Sequence, residues 1–379
     1  MISVLFLIPT LDRGGAENVL VDLVNHMDQS KFQITVQTLF DKDSQKDRLR
    51  EGIEYRSFLY HQFHGNSRLF ARIPAGLLYR LIVRKRYDIV VSYLEGPTSH
   101  IIAGCPYANT KSVAWFHSAL TKERGFRAGF SSKEAALKAY QEFDAVVFVA
   151  KAVRESIEKT AGVHFSKGHV LYNTINTEAV IRGAKEPVTN FPFSKQEYNI
   201  ISTGKIAYVK GYDRLARIQK KLHDSGLPTH VYILGAGPER TSIEKFILEN
   251  GISDSFTFLG FQENPYKYVA KADLFVCSSR REGFSTAVTE ALLVGTPVCT
   301  TDVSGMREML GNDEYGLIVS NSEEALYEGI KRLLEDQSLL EYYRGQARIR
   351  GNFFSTEKTV KAVEEMLTGL WKHDSIRKN

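Results

Sequence analysis

The sequence predicts an α/β protein built from two Rossmann-like halves. Three observations carry this prediction. Short apolar, β-branched runs alternate with stretches of helical period, glycine-bearing loops follow several of those runs, and the pattern starts afresh near residue 198. Apolar strands of this kind are buried on both faces, and their alternation with helices implies a parallel sheet covered on both sides. A chain of 379 residues suits two domains of ordinary size.

The first strand is the apolar run ISVLFLI at residues 2–8. Pro9 to Gly15 breaks it, and from Ala16 the period becomes helical, with Ala16, Val19, Leu20, Leu23, Val24 and Met27 on one face. Strand-like runs follow at 34–40, 89–93, 112–116 and 145–149, with helical stretches at 69–85 and 133–142. The second half has strands at 199–203, 230–234, 256–259, 274–277 and 297–300, and helices at about 211–224, 239–250, 284–294 and 322–335. Between the halves, 182–197 carries Gly183, Pro187 and Pro192 and reads as a linker. The tail from Thr356 puts Val360, Val363, Leu367, Leu370 and Trp371 on one helical face that needs a partner. The expected division is therefore 1–180, 198–355, and a terminal helix at 356–379 that returns to the first domain.

Composition narrows the function. At 43% hydrophobic and 25% charged, the chain is that of a folded globular protein. Cysteines at 105, 277 and 299 are too far apart for a disulfide framework, and no CxxC or Cys/His cluster suggests zinc. The net charge of +5 is mild, and with no basic tail or RNP-like motif it does not call for nucleic acid. The opening lacks the basic n-region and long h-region of a signal peptide, and no run reaches a membrane span. A cytoplasmic protein, or one peripheral on the cytoplasmic membrane face, is expected.

The strongest chemical signal follows the strand that ends at Cys277. Ser278-Ser279-Arg280-Arg281-Glu282-Gly283-Phe284-Ser285-Thr286 leads into a helix containing Glu290. Open α/β sheets bind ligands beyond the carboxyl ends of their strands, where this segment lies. Gly283 lets the backbone approach a ligand, and the N–H groups of 283–286 can face a phosphate or a hydroxyl. A carboxylate accepts two hydroxyl hydrogen bonds at once, which suits sugar diols. The plainer reading of Glu282 and Glu290 is a helix-dipole partner and a surface residue. Gly204-Lys205-Ile206-Ala207-Tyr208-Val209-Lys210-Gly211 follows another strand of the same sheet, and its two lysines can hold a diphosphate. Gly235-Ala236-Gly237-Pro238 is a third strand-to-helix glycine turn, by itself as often a plain turn. Gly14 and Gly15 sit at the first one. His117 ends the run Val113-Ala114-Trp115-Phe116; a structural His and a ligand of the sugar or its phosphate are both open readings.

These residues together resemble the retaining glycosyltransferases of the GT-B fold, in the large family four of nucleotide-sugar-dependent transferases. Glu282-Gly283-Phe284 with Glu290 forms the EX7E pattern, supported by Gly204-Lys205, Lys210-Gly211, Gly235-Ala236-Gly237-Pro238 and Gly14-Gly15-Ala16-Glu17. The resemblance covers nearly the whole chain and is most specific from about 200 to 310. It implies two Rossmann-like domains facing each other across a cleft, the first binding the acceptor and the second a nucleotide sugar. It also implies transfer of a hexose or N-acetylhexosamine from a UDP-linked donor to a glycan acceptor, with retention and without a metal or other cofactor. By resemblance Glu282, His117 and Lys210 are catalytic. Gly14, Gly15, Lys205, Lys210, Gly235, Gly237, Gly283, Phe284, Ser285, Thr286 and Glu290 bind the donor. Where Lys205 stands, relatives usually carry Arg; the charge is kept and the bidentate fork is lost.

Two features point toward a lipid-linked acceptor. Asn264-Pro265-Tyr266 is similar to transferases that extend lipid-linked and cell-surface glycans, although a turn opening a helix is the simpler reading. Residues 68–88 hold Arg68, Arg72, Arg80, Arg84, Lys85 and Arg86 against Asp88, interleaved with leucines and isoleucines. They read as a basic amphipathic helix, in which Arg80, Arg84, Lys85 and Arg86 would meet an anionic membrane or a polyprenyl diphosphate. A core-packed helix with a solvated basic face is the alternative. Three other functions are weighed. A GT-B UDP-sugar epimerase needs acid and base residues around one carbon, and no such set is identifiable. An NAD-dependent oxidoreductase lacks a strict GxGxxG with its acidic partner. A non-enzymatic membrane-surface protein leaves the convergence of Glu282, Glu290, Lys205 and Lys210 unexplained.

Overall fold

The structure is a computed structural model. It describes residues 1–12, 14–41, 45–61, 66–120, 122–188, 193 and 196–375. The chain forms two compact units, Met1–Ile175 with Thr356–Asn379, and Asn176–Ser355.

Among the described residues, the first unit has one seven-stranded parallel sheet: β1 (Ile2–Ile8), β2 (Phe32–Phe40), β3 (Glu54–Leu59), β4 (Ile89–Ser92), β5 (Lys111–Phe116), β6 (Ala145–Phe148) and β7 (Gly168–Val170). The order across the sheet is β3-β2-β1-β4-β5-β6-β7. The connections carry α1 (Gly15–His26), α2 (Asn66–Phe70), α3 (Ala75–Ile82), α4 (Pro97–Ala103), α5 (Glu123–Phe126), α6 (Lys133–Glu142) and α7 (Lys151–Ala161). Strand β1 pairs with β2 from Ile2–Phe32 to Ile8–Thr38 and with β4 from Val4–Ile89 to Leu7–Ser92. The strand order reverses between β1 and β4, which opens a crevice at their carboxyl ends.

The second unit begins with α8 (Thr177–Ala184). Among the described residues its sheet has six parallel strands: β8 (Tyr198–Thr203), β9 (Thr229–Leu234), β10 (Phe256–Gly260), β11 (Leu274–Cys277), β12 (Val298–Thr301) and β13 (Leu317–Val319), ordered β10-β9-β8-β11-β12-β13. Helices α9 (Tyr212–Asp224), α10 (Arg240–Glu249), α11 (Tyr266–Val269), α12 (Thr286–Leu293), α13 (Met306–Leu310), α14 (Glu323–Glu335) and α15 (Gln337–Gly351) complete it. Ile200, Val231, Ile233, Leu274 and Val276 of the sheet pack with Leu215, Ile218, Ile330 and Leu333 of α9 and α14 in one core. Here the order reverses between β8 and β11, so the loops after those two strands share a crevice.

The terminal helix α16 (Thr356–Ser375) belongs to the first unit, where Val360, Val363 and Leu367 are buried. Glu364 accepts the Asp28 backbone N–H at 2.7 Å just past the end of α1. Thr356 Oγ1 donates to the Ile175 carbonyl at 2.7 Å, so the two ends of the first unit's chain segments are tied together.

Two local expectations change. The basic stretch is not one helix over 68–88: Pro74 is the N-cap of α3 and separates it from α2, because its ring removes a backbone donor and restricts the residue before it. Nor is 182–197 an open linker throughout. Gly183 is buried within α8, and a Cβ there would lie 2.9 Å from Asn264 Oδ1. Asn264 Nδ2 donates to the Gly183 carbonyl at 2.9 Å and to Glu186 at 2.8 Å, so the Asn-Pro-Tyr segment is what docks α8. The unit boundary accordingly falls between Ile175 and Asn176. Pro192 lies outside the described residues.

Candidate active site

In the second unit the loops after β8 and β11 are stapled together. A 3-10 turn at Tyr208–Lys210 ends at Gly211, whose φ of 70° is left-handed. A Cβ on Gly211 would lie 2.1 Å from the Ser278 carbonyl oxygen, so only glycine lets the two loops meet. Ser278 Oγ donates to the Lys210 carbonyl at 2.9 Å, and Arg280 N–H to the Val209 carbonyl at 2.7 Å. The Arg280 guanidinium lies 4.0 Å from the Tyr208 ring centroid and grips both oxygens of Asp213 at 2.7 Å. Arg217 adds a third contact to Asp213, at 3.0 Å. Burial works against the Asp213 charge, but the two arginines outweigh it and hold the pKa down at about 2.

This frame holds an ion pair at the switch point. Lys210 Nζ lies 2.7 Å from Glu282 Oε1, and Ser279 Oγ donates to the same oxygen at 2.5 Å. The side chains are 25% and 10% exposed, so the pair is mostly withdrawn from water. Burial opposes the Lys210 charge, yet the Glu282 carboxylate leaves its pKa raised. Lys205 is different: it is exposed, and among the described residues no acidic group pairs with it. Ser285 caps α12 by accepting from the Val288 N–H, which directs the chain from Gly283 into the helix; Glu290 follows in its second turn. Phe284 is buried with its ring 5.8 Å from that of Phe354, so its side chain anchors the loop. Gly305, with φ of 82°, packs on this loop, where a Cβ would be 2.4 Å from the Gly283 oxygen.

The remaining glycine turns divide by cause. Cβ atoms on Gly235 and Gly237 would lie 1.9 and 2.2 Å from the carbonyl oxygens of Gly204 and Ile206. Both glycines are therefore required by packing against the Lys205 loop, whatever else they touch. In the first unit, Gly14 caps α1, and a Cβ there would strike the Glu17 carboxylate at 2.1 Å. Among the described residues, and apart from its chain neighbours and its own helix backbone, a Cβ on Gly15 would meet nothing within 4 Å, so packing does not explain that glycine.

At the carboxyl ends of β4 and β5, half-buried His117 packs 4.7 Å from the Tyr93 ring and stacks 6.1 Å from Trp115. Burial pulls its pKa down to about 3, opposed by a hydrogen bond to the Tyr93 carbonyl, so the ring is neutral. Its Nε2 is buried and, among the described residues, has no hydrogen-bond partner. Glu95 accepts the His117 backbone N–H at 2.9 Å; burial raises its pKa, against hydrogen bonds from His117 and Ser118.

The family described as "Glycosyl transferases group 1" matches residues 187–350, and "Glycosyltransferase Family 4" matches residues 13–179. The chain belongs to the group 1 glycosyltransferases of the GT-B fold.

Among the relatives of this group 1 glycosyltransferase is the N-acetylgalactosamine-N,N'-diacetylbacillosaminyl-diphospho-undecaprenol 4-alpha-N-acetylgalactosaminyltransferase of Campylobacter jejuni, 30% identical over 61% of each chain. The 2-deoxystreptamine glucosyltransferase of Streptomyces kanamyceticus is 30% identical over 35% of each. The chain thus spans less than two thirds of the length of either. The crystal structure of Anabaena HepE in complex with UDP-glucose superposes with a TM-score of 0.77 at 18% identity, covering 97% of this chain and 100% of that one. Sucrose-phosphate synthase from Thermosynechococcus elongatus gives 0.77 at 16%, covering 98% and 100%. These likenesses establish the fold.

Several residues of this group 1 glycosyltransferase had no signal in the sequence. Arg214 is buried beside Gly211; its Nη1 donates to Asn321 at 3.0 Å, while Nε and Nη2 have no partner among the described residues. Ser304, next to Gly305, has a buried hydroxyl with no partner among the described residues. Asp213, Arg280 and Glu95 also lie outside any pattern recognisable by spacing. An arginine on an amphipathic helix reads as solvated until the neighbouring loop is known to cover it.

Proposed function

We propose that this protein transfers a hexose or N-acetylhexosamine from a UDP-sugar to a glycan acceptor carried on a polyprenyl diphosphate, with retention at the anomeric carbon. The observation that carries the reading is the Lys210–Glu282 pair at the β8/β11 switch point, with Glu290 eight residues on in α12. The printed acceptor of the Campylobacter relative supports a lipid-linked glycan, and the UDP-glucose in the HepE complex supports the donor.

In this reading Glu290 takes the ribose diol and Glu282 the hydroxyls of the donor sugar. The amides of Gly283 to Thr286 face the sugar and the phosphates, and Gly14 and Gly15 are donor-binding in the same reading. Lys205, which has no competing carboxylate among the described residues, meets the diphosphate as a free cation. Lys210 is shared: an arriving diphosphate competes for its ammonium, and Glu282 is released to accept hydroxyl hydrogens. Neutral His117 accepts a sugar hydroxyl through Nε2 instead of neutralising a phosphate. In the transfer, the bond from the anomeric carbon to the β-phosphate oxygen breaks and the acceptor oxygen bonds to that carbon. The acceptor's proton passes to the leaving phosphate on the same face. Lysines and amides carry the leaving-group charge, as a metal-independent transferase requires.

Calorimetry with UDP and transfer assays on Glu282→Gln and Glu290→Gln test the division of roles. Loss of a charge-assisted hydrogen bond is worth roughly 1.5–3 kcal/mol, so Glu290→Gln should weaken UDP roughly ten- to hundredfold. Glu282→Gln should abolish transfer yet bind UDP as well as the parent or better, because Lys210 is freed. Equal loss of UDP affinity in both variants would sink the assignment. Binding of NAD without UDP would sink the transferase itself.

A further inference from the structure

Among the described residues, no helix is long and apolar enough to cross a membrane. The surface of α2 and α3 nevertheless has an arrangement that ordinary solvation does not explain. Leu78, Tyr79 and Ile82 turn one side of α3 into the first unit's core. On the other side Leu77 and Leu81, one turn apart, are 51% and 47% exposed, and Leu69 of α2 is 47% exposed. Arg68, Arg72, Arg80, Arg84 and Arg86 are exposed on the same stretch, and among the described residues none has an acidic group within ion-pair distance. Lys85 does not join them, since its Nζ lies 3.3 Å from Glu54. Arg84, two residues past the end of α3, is left-handed, φ 54°, and its Nε donates to the Leu81 carbonyl. Half-exposed Tyr107 lies beside this end, against Tyr79 and beneath Arg86.

We propose that this face docks on the surface of an anionic lipid bilayer, with Leu69, Leu77 and Leu81 in the acyl boundary and the arginines at the phosphates. Scattered exposed leucines are common; three of them among five arginines without carboxylate partners are the pattern of an interfacial helix. Guanidinium forks suit phosphate oxygens, and their stems can lie along apolar surface while the charge stays in the headgroups. The charge balance agrees. The first unit has 28 basic and 21 acidic residues and the second 21 and 23, so the chain's basic excess lies in the unit that carries this face. A phosphate-bearing ligand alone would use the arginines and leave the leucines in water. The inference is independent of the donor-site roles.

Flotation of the full chain with vesicles of phosphatidylcholine, with and without phosphatidylglycerol, tests it. No nucleotide or acceptor is present, so failure of the transferase reading leaves the result intact. The chain should float with the anionic vesicles and not with the neutral ones. A surface Lys or Arg is worth about fivefold in partitioning, so Arg72→Glu with Arg80→Glu should lower binding by at least about twentyfold. Leu77→Ser with Leu81→Ser should lower it by roughly the same factor, from the half-exposed leucine area given up. Unchanged thermal unfolding would show that these exposed positions still fold. As a second reading, Leu77→Trp should shift its fluorescence to the blue on anionic vesicles. Absence of anionic binding would overturn the proposal. Binding lost in the arginine variant but not the leucine variant, or displaced completely by inorganic pyrophosphate, would replace it with a phosphate contact. An unshifted Leu77→Trp emission would do the same.

Discussion

Asp213→Asn is the perturbation with the best-defined magnitude. Asp213 is the anchor that Arg280 grips with both nitrogens, and Glu282 lies two residues beyond Arg280 in the same loop. The carboxyl is held at about 2, against an ordinary 3.8, and the side chain is 26% exposed. A drop of nearly two units, at about 1.4 kcal/mol each, is worth roughly 2 kcal/mol of folded-state stability at neutral pH. A depressed folded-state pKa means the contribution is full above about pH 4 and is lost as pH falls through about 2, with roughly half gone by pH 3. For a unit of this size, the transition should move down by roughly 4–8 °C at pH 7. Calorimetry of parent and variant at pH 7 and pH 3 measures both the shift and its decline. A variant as stable as the parent at pH 7, or a difference that does not shrink toward pH 3, would refute the account of Asp213.

Two glycine substitutions separate packing from ligand contact. Gly15→Ala adds a methyl where, among the described residues and beyond its own helix and chain neighbours, nothing lies within 4 Å, at the first residue of a helix. It should hold or raise stability, by up to about 1 kcal/mol, while transfer falls; unfolding and turnover measured together decide this, and unimpaired turnover would remove Gly15 from the donor site. Gly237→Ala drives a Cβ to 2.2 Å from the Ile206 carbonyl. It should cost about 1–3 kcal/mol in a thermal melt and weaken UDP because the Lys205 loop must shift; an unaltered melting temperature would contradict the packing.

Much of the architecture is legible in the sequence because buried parallel strands are continuous apolar runs. Strands β1, β4, β6 and β11 each stand out in this way. Strand β3 does not: Glu54-Tyr55-Arg56-Ser57-Phe58-Leu59 is an edge strand, mostly half-buried, and its polarity hides it. Helices mislead where periodicity runs through a breaker. Leucines continue in phase across Pro74, so the stretch looks like one helix although the ring divides it. Helix α8 is hidden for the opposite reason. Gly183 looks like a linker residue because its reason for being glycine, the approach of Asn264, lies 81 positions away. The site shows the same limit. Glu282 and Glu290 share one local pattern, but Lys210 meets Glu282 across 72 residues, because β8 and β11 are neighbours in the sheet.

The two sheets reverse strand order in the same way, yet their switch points are electrostatically unlike. That of the second unit gathers Lys205, Lys210, Asp213, Arg280 and Glu282, and the buried Arg214 adds a cation beneath the Gly211 turn. In the first unit, Tyr93 and Trp115 surround a neutral His117, and the neighbouring Glu95 is raised by burial. A diphosphate needs compensating charge that grows as the leaving group departs, and paired ions can supply it by exchanging partners. A neutral ring nitrogen can accept a hydroxyl hydrogen but supplies no such charge. The His117 ring is held between Tyr93 and Trp115, and its buried Nε2 has no partner among the described residues. The same strand order thus carries two electrostatic environments. What distinguishes them is whether the side chains ending the central strands are paired ions or buried rings.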